Sequence, residues 1–255
     1  MAHARKPDPF GEKFYPETKF GGFTDCDGII AFFNRVNALL QPEYIVLDVG
    51  CGRGSYGDDP VRYRKNLRII RGKVARIIGI DVDENACANA FIDEFRLIRD
   101  DCWPVDSNSI DLLICDNVLE HIEQPERFFA EIRRVLKDGG ILCLRTPNKW
   151  CYIVLAAMCI PEKFHSAVLS LAQSGREQRD VFPAYYRCNS VRKLRGIMTR
   201  YGFDCVVYGY EAEPNYLSFS IITYFFGVLH QLFAPGWMKP SIFAFGLMQK
   251  KKESR

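Results

Sequence analysis

Tyr44-Ile45-Val46-Leu47-Asp48-Val49-Gly50-Cys51-Gly52-Arg53-Gly54 runs from an apolar stretch through an acid into three alternating glycines. The run from Ile45 to Leu47 is short, β-branched and bounded by glycine, the pattern of a buried parallel strand. Glycines directly after such a strand let the backbone turn tightly and approach a bound ligand. Asp48 falls at the carboxyl end of the strand, the edge at which open α/β sheets bind ligands. Two patterns overlap here. Gly50, Gly52 and Gly54 fit an acid followed by G-x-G-x-G, while Gly52 to Gly57 also spells the G-x-G-x-x-G of dinucleotide binders. Asp81 follows at a distance that suits either.

Downstream the chain alternates strand-like and helix-like segments. Val74 to Asp81 reads as a second buried strand ending in an acid, with Asp83 placed to cap a helix through Ala86, Ala90 and Phe91. Phe95 to Ile98 is a third strand, leading to Asp100-Asp101-Cys102-Trp103-Pro104. Ile110 to Cys115 is a fourth, leading to Asp116-Asn117-Val118-Leu119-Glu120-His121. Pro125 starts a helix whose apolar face is Phe128, Phe129, Ile132, Val135 and Leu136, and Gly139-Gly140 is expected to end it. Ile141 to Leu144 is a fifth strand, closed by Thr146-Pro147-Asn148. This rhythm specifies a doubly wound α/β sheet.

Upstream, residues 1–25 form an aromatic, Pro- and Gly-rich arm, and Asp27 to Leu40 has one apolar helical face. After Asn148 the rhythm breaks into an insertion, residues 149–188. An amphipathic helix from Val191 to Tyr201, a strand from Asp204 to Tyr210 and a last strand from Ser241 to Met248 follow. The expected organisation is a single domain over 1–255: arm and helix 1–40, core 41–148, insertion 149–188, and C-terminal helix and strands 189–255.

With 255 residues, 48% hydrophobic and 25% charged, the chain has the composition of an ordinary globular protein. A net charge of +3 argues against a dedicated nucleic-acid binder. The ten cysteines form no C-x-x-C pair, and we read them as reduced thiols of a cytoplasmic protein. The N-terminus lacks the apolar core of a signal peptide. The basic stretch 58–76 reads as a solvated helix face, with a patch for anionic substrates or acidic membranes as the alternative.

In order and spacing, these pieces resemble the class I methyltransferases that use S-adenosylmethionine (SAM), in particular the group containing the quinone-biosynthesis enzymes. The resemblance rests on Val46 to Gly54, Gly79-Ile80-Asp81, Asp101 to Pro104, Asn117 to His121, Arg134 to Gly140 and Thr146-Pro147-Asn148. It covers roughly residues 44 to 148 and decides the glycine pattern against a dehydrogenase. It implies a Rossmann-like seven-stranded sheet with an antiparallel last strand. It further implies that Asp48, Gly50, Cys51, Gly52 and Gly54 hold the methionine part of SAM, whose product is S-adenosylhomocysteine. Asp81, with Val82 beside it, would hold the ribose. Asp101 and Cys102 would meet the adenine, and Asp116 and Asn117 the sulfonium end.

Methyl transfer to a small-molecule hydroxyl is the expected chemistry, with His121 as the candidate general base. A histidine that only orders its loop is the plainer reading. His165, Tyr185, Tyr186 and Arg187 are candidates for the acceptor pocket, and no metal is expected. The alternatives are a SAM-binding interaction module without catalysis, or a methyltransferase for a lipid, protein or RNA acceptor. Residues 217–234 are too diluted by polar residues for a spanning helix. We expect a buried helix covering the acceptor pocket, against an alternative of peripheral contact with lipid.

Overall fold

The computed structural model describes residues 10–100, 102–152 and 183–250. A seven-stranded sheet runs in the order β3-β2-β1-β4-β5-β7-β6. Its strands are β1 (Ile45–Val49), β2 (Arg76–Asp81), β3 (Glu94–Leu97), β4 (Ile110–Asp116), β5 (Leu136–Pro147), β6 (Phe203–Tyr210) and β7 (Ser241–Met248). The first five are mutually parallel, and β7 lies antiparallel between β5 and β6. The chain winds outward from β1 to β3 and then returns to β4 on the other side of β1. That reversal opens a crevice at the carboxyl ends of β1 and β4.

Strand alternation divides the core into two layers. On one face Leu47, Ile78, Leu113 and Leu142 pack against Phe129 and Ile132 of α4 (Pro125–Val135) and Leu194 and Met198 of α5 (Val191–Arg200). On the other, Val46, Ile77, Leu112 and Cys143 meet Phe32, Phe33 and Val36 of α2 (Gly28–Leu39) and Leu67 of α3 (Arg62–Arg68). Asp27 caps α2 by accepting the amides of Ile29 and Ile30 at 2.9 and 3.0 Å.

Three local expectations change. The segment after Asp83 is a single 3₁₀ turn, Glu84–Ala88, although Asp83 does cap it through the Asn85 amide. The helix α4 ends at Val135, not at the paired glycines. Gly139, at φ +81°, lies inside β5 where the pairing with β4 shifts register. The basic stretch is not wholly solvated. Arg64 is buried and pairs with Asp27 at 2.7 Å and Asp59 at 2.6 Å, while Arg62 and Arg71 stay outside.

A larger correction concerns residues 217–234. A helix does form there, α6 (Ile221–Phe233), but only Tyr224 and Gly227 are buried. Phe226 is 62% exposed and Phe233 79%. Its polar side chains turn toward the protein: His230 bonds Glu211 at 2.7 Å and Tyr15 donates to Gln231 at 2.6 Å. With those anchors on the inner face, the apolar stripe is left outside. Among the described residues no helix is long and apolar enough to cross a membrane.

Candidate active site

The glycine turn is built where the sequence places it, at the crevice beside β1. Gly50 adopts φ +70°, and a Cβ there would lie 2.3 Å from Val118 Cγ2, so any side chain would both strain the backbone and strike the loop after β4. At Gly54, φ +74°, a Cβ would come within 2.6 Å of Asn89 Oδ1. The turn is fastened from both sides. Gly50 donates its amide to Ile80 O at 2.8 Å, and Asn89 donates to the carbonyls of Cys51 and Gly52 at 3.0 and 3.1 Å.

Asp81, at the end of β2, is buried and reaches this turn directly. Its carboxylate accepts the Gly52 amide at 2.9 Å and the Asp83 amide at 2.9 Å. Val82 stands beside it with its side chain exposed. Cys102 is exposed and precedes the buried Trp103, whose amide donates to Glu131 at 2.7 Å. Asp101 and His165 lie outside the described residues.

A cavity of about 190 Å³ lies behind the turn, lined by Asp48, Gly50 to Tyr56, Phe33, Arg68 and Asp116. Desolvation pushes the Asp48 carboxyl up to about 7, with the charges of Asp116 and Asp81 adding to the rise and Arg68 opposing it. Asp116 is held by Arg145 through two bonds, Nε to Oδ1 at 2.6 Å and an Nη to Oδ2 at 2.8 Å. Asn117 follows in the left-handed region, φ +56°, and donates its amide to Arg145 O.

Arg68 is the site residue the sequence reading overlooked. It leaves the last turn of α3 and passes inward, its guanidinium carbon 4.6 Å from the Tyr56 ring centre and 5.6 Å from that of Phe33. Its Nε is buried without a hydrogen-bond partner, and one Nη stands 4.0 Å from Asp116 Oδ2. A signal was present. Val61, Arg64, Leu67 and Arg68 share one helical face, which turns inward as a unit.

After β4 the structure joins the segment of Glu120 and His121 to that of Pro183, Tyr185, Tyr186 and Arg187. His121 Nδ1 lies 2.9 Å from Pro183 O, and the amides of Tyr185 and Tyr186 donate to Glu120 O at 2.7 and 3.2 Å. Arg187 sits over the Tyr185 ring at 5.9 Å. A carbonyl can only accept, so Nδ1 carries the proton and Nε2 is the basic nitrogen of the neutral ring. Nε2 lies 3.9 Å from the buried Glu120 carboxylate. Burial raises the Glu120 carboxyl above its usual range. Thr146 and Asn189 complete this polar group: Thr146 donates to Glu120 at 3.1 Å and Asn189 to Thr146 at 2.6 Å. Among the described residues, no cluster of His, Cys, Asp and Glu is arranged to hold a metal.

Comparison with known proteins gives this geometry a context. A family model described as a methyltransferase domain matches residues 24–208. A probable S-adenosylmethionine-dependent methyltransferase of Mycolicibacterium smegmatis is 32% identical over 111 residues, 41% of this chain and 38% of the relative. The ubiquinone biosynthesis O-methyltransferase of Hahella chejuensis is 30% identical over 113 residues, 41% of this chain and 43% of the relative. The chain therefore aligns with less than half the length of either. Among solved structures, the methyltransferase complexed with the Haloferax volcanii Trm112 activator has a TM-score of 0.57 at 18% identity, covering 89% of this chain and 92% of that one. Phosphoethanolamine N-methyltransferase 2 of Haemonchus contortus, solved with phosphomonomethylethanolamine and S-adenosylhomocysteine, has a TM-score of 0.53 at 16% identity, covering 97% of this chain and 59% of that one. At these identities the structures report a shared fold.

Proposed function

This chain belongs to the SAM-dependent methyltransferase family, and from that premise we propose that it methylates a hydroxyl of a small-molecule acceptor. SAM supplies an activated methyl group on a sulfonium, and the transfer is an in-line displacement that needs alignment and exclusion of water more than covalent help. The residues present fit that cofactor. A glycine turn with left-handed backbone leaves room for close approach, and no atom lies within 4 Å of where a Cβ of Gly52 would stand. Asp81 is fixed by two amides at the edge of the crevice, a carboxylate suited to a pair of ribose hydroxyls. Asp48 would meet the amino group, and Arg68, whose Nε has no hydrogen-bond partner, would meet the carboxylate of the methionine part; that both line the cavity supports this.

The observation that carries the proposal is the Asp81 carboxylate locking the Gly52 amide at the carboxyl edge of this family's sheet, beside the β1–β4 crevice. On the acceptor side, His121 would take the hydroxyl proton on Nε2, its orientation set by the Pro183 carbonyl. Tyr185, Tyr186 and Arg187 would line that side, and Cys102 and Val82 the adenosine side. Incubating purified protein and labelled SAM with extracts of sugars, quinones and lipids tests the reading. A labelled product with the methyl on oxygen supports it, and a product methylated on carbon or nitrogen removes the need for His121 as base.

A further inference from the structure

The helix α6 is amphipathic in an inverted sense. Its inner face carries the polar contacts His230 to Glu211, Tyr15 to Gln231, and Thr223 to the carbonyls of Leu217 and Ser220. Gly227 lets the helix close onto Pro214, where a Cβ would come within 2.5 Å. Its outer face presents Ile222, Phe225, Phe226, Leu232 and Phe233 at helical spacing, all exposed. A helix docked only for the stability of its own domain buries its apolar stripe. This one buries the Tyr224 ring against Phe10, Phe14 and Tyr15, turns His230 and Gln231 inward and leaves five large apolar side chains outside.

The surroundings select the occupant. Residues 217–240 contain no Asp or Glu. Just beyond the helix Trp237 is 58% exposed, and Asn148 ties this turn to β5 by donating to the carbonyls of Trp237 and Lys239 at 2.7 and 2.9 Å. The same tie brings up Lys149, whose ammonium lies 4.9 Å from the ring centre of the exposed Trp150. Phenylalanine in the centre, tryptophan and lysine at the rim and no acid within 217–240 is the composition of a surface that sits in an acyl–headgroup boundary. A symmetric contact of this face with itself would set its lysines against each other with no acid within 217–240 to answer them.

We infer that the outer face of α6, with Trp150 and Trp237 at its rim, seats the protein on an anionic lipid surface. The first residue of β7 pairs with Pro147 at the end of β5, so α6 and the turn after it lie at the same edge as Asp48, Asp81 and Asp116. Seating therefore brings the carboxyl edge of the sheet, where the crevice opens, near the bilayer. This orientation of the acceptor side rests on the proposed activity, whereas the lipid seat itself does not.

Flotation of the full chain with vesicles of phosphatidylcholine and phosphatidylglycerol in equal parts tests the seat. The chain should float with these vesicles, and less with phosphatidylcholine alone. Phe226→Glu combined with Phe233→Glu should lower the partition about tenfold or more, since each exposed ring otherwise enters apolar surroundings. Circular dichroism shows whether the variant is folded, and Trp237→Ala, a rim change, serves as an independent second variant. A wild-type chain that stays at the bottom of the gradient overturns the inference. So does flotation unchanged by both variants, or a dimer by light scattering that the phenylalanine changes dissolve while no flotation is seen. S-adenosylhomocysteine binding is read on the same preparation. Its absence with flotation intact counts against the proposed methyl transfer and leaves the seat standing.

Discussion

The carboxylate of Asp81 and the amide of Gly52 meet at 2.9 Å, joining the end of β2 to the turn that follows β1. One side chain thus sets the shape of the glycine turn while standing where a ribose would be held. Asp81→Ala should weaken S-adenosylhomocysteine binding about 10- to 100-fold, from the loss of charge-assisted hydrogen bonds worth roughly 1.5–3 kcal/mol. Calorimetry measures it. Tight binding of NAD with none of S-adenosylhomocysteine would overturn the assignment of the crevice.

Asp48 makes both stability and binding depend on pH. Its folded-state value of about 7 lies above the ordinary carboxylate value of about 3.9. A group raised on folding contributes stability that is complete below about pH 4 and is lost as pH rises toward 7. Asp48→Asn should remove this loss, so that the variant gains on the wild type in urea melts at pH 8 relative to pH 5. Binding an ammonium group requires the ionised form. Wild-type affinity for S-adenosylhomocysteine should therefore fall as pH drops below 7, by up to about tenfold per unit, and the variant's should not.

Arg68 allows a test that separates the two ends of the cofactor. Arg68→Met should lower affinity for S-adenosylhomocysteine about 10- to 100-fold and leave methylthioadenosine, which lacks the amino-acid group, unaffected. Equal losses for both ligands would show that Arg68 merely supports the cavity through its contacts with Tyr56 and Phe33.

His121→Ala should slow turnover about 100-fold or more while cofactor affinity stays near that of the wild type. The measurement is single-turnover methyl transfer to the acceptor found by the extract screen. If the rate is unchanged, the bond to Pro183 O is a loop anchor and the histidine has no part in proton transfer.

The buried triad of Arg64 with Asp27 and Asp59 should be costly to break. All three side chains are less than a tenth exposed, at 6%, 5% and 9%. Arg64→Ala leaves two carboxylates without their cation and should destabilise the fold by about 3–5 kcal/mol in urea titration. Arg62→Ala, on the exposed face of the same helix, should stay within about 0.5 kcal/mol of the wild type.

Five parallel strands, the glycine turn, the acids at the strand ends and the strand from Ser241 to Met248 were all legible in the chain as written. Each rests on short-range chemistry: alternation of apolar residues, a glycine where φ must be positive, an acid directly after a strand. The bonds of His121 to Pro183 and of Glu120 to Tyr185 and Tyr186 were not legible, because they join segments some sixty residues apart, the second of them in an insertion with no period of its own. Nor was the inward turn of Arg64 and Arg68, since a basic run looks the same whether water or two aspartates receive it. The clearest case is α6. Its sequence marks two faces but does not say which is inside, because that depends on Glu211 and Tyr15, which sit on other elements. Two part-buried polar pairs hold the helix by this side, and the apolar side faces outward because the buried Glu211 carboxylate and Tyr15 hydroxyl without their partners would cost more.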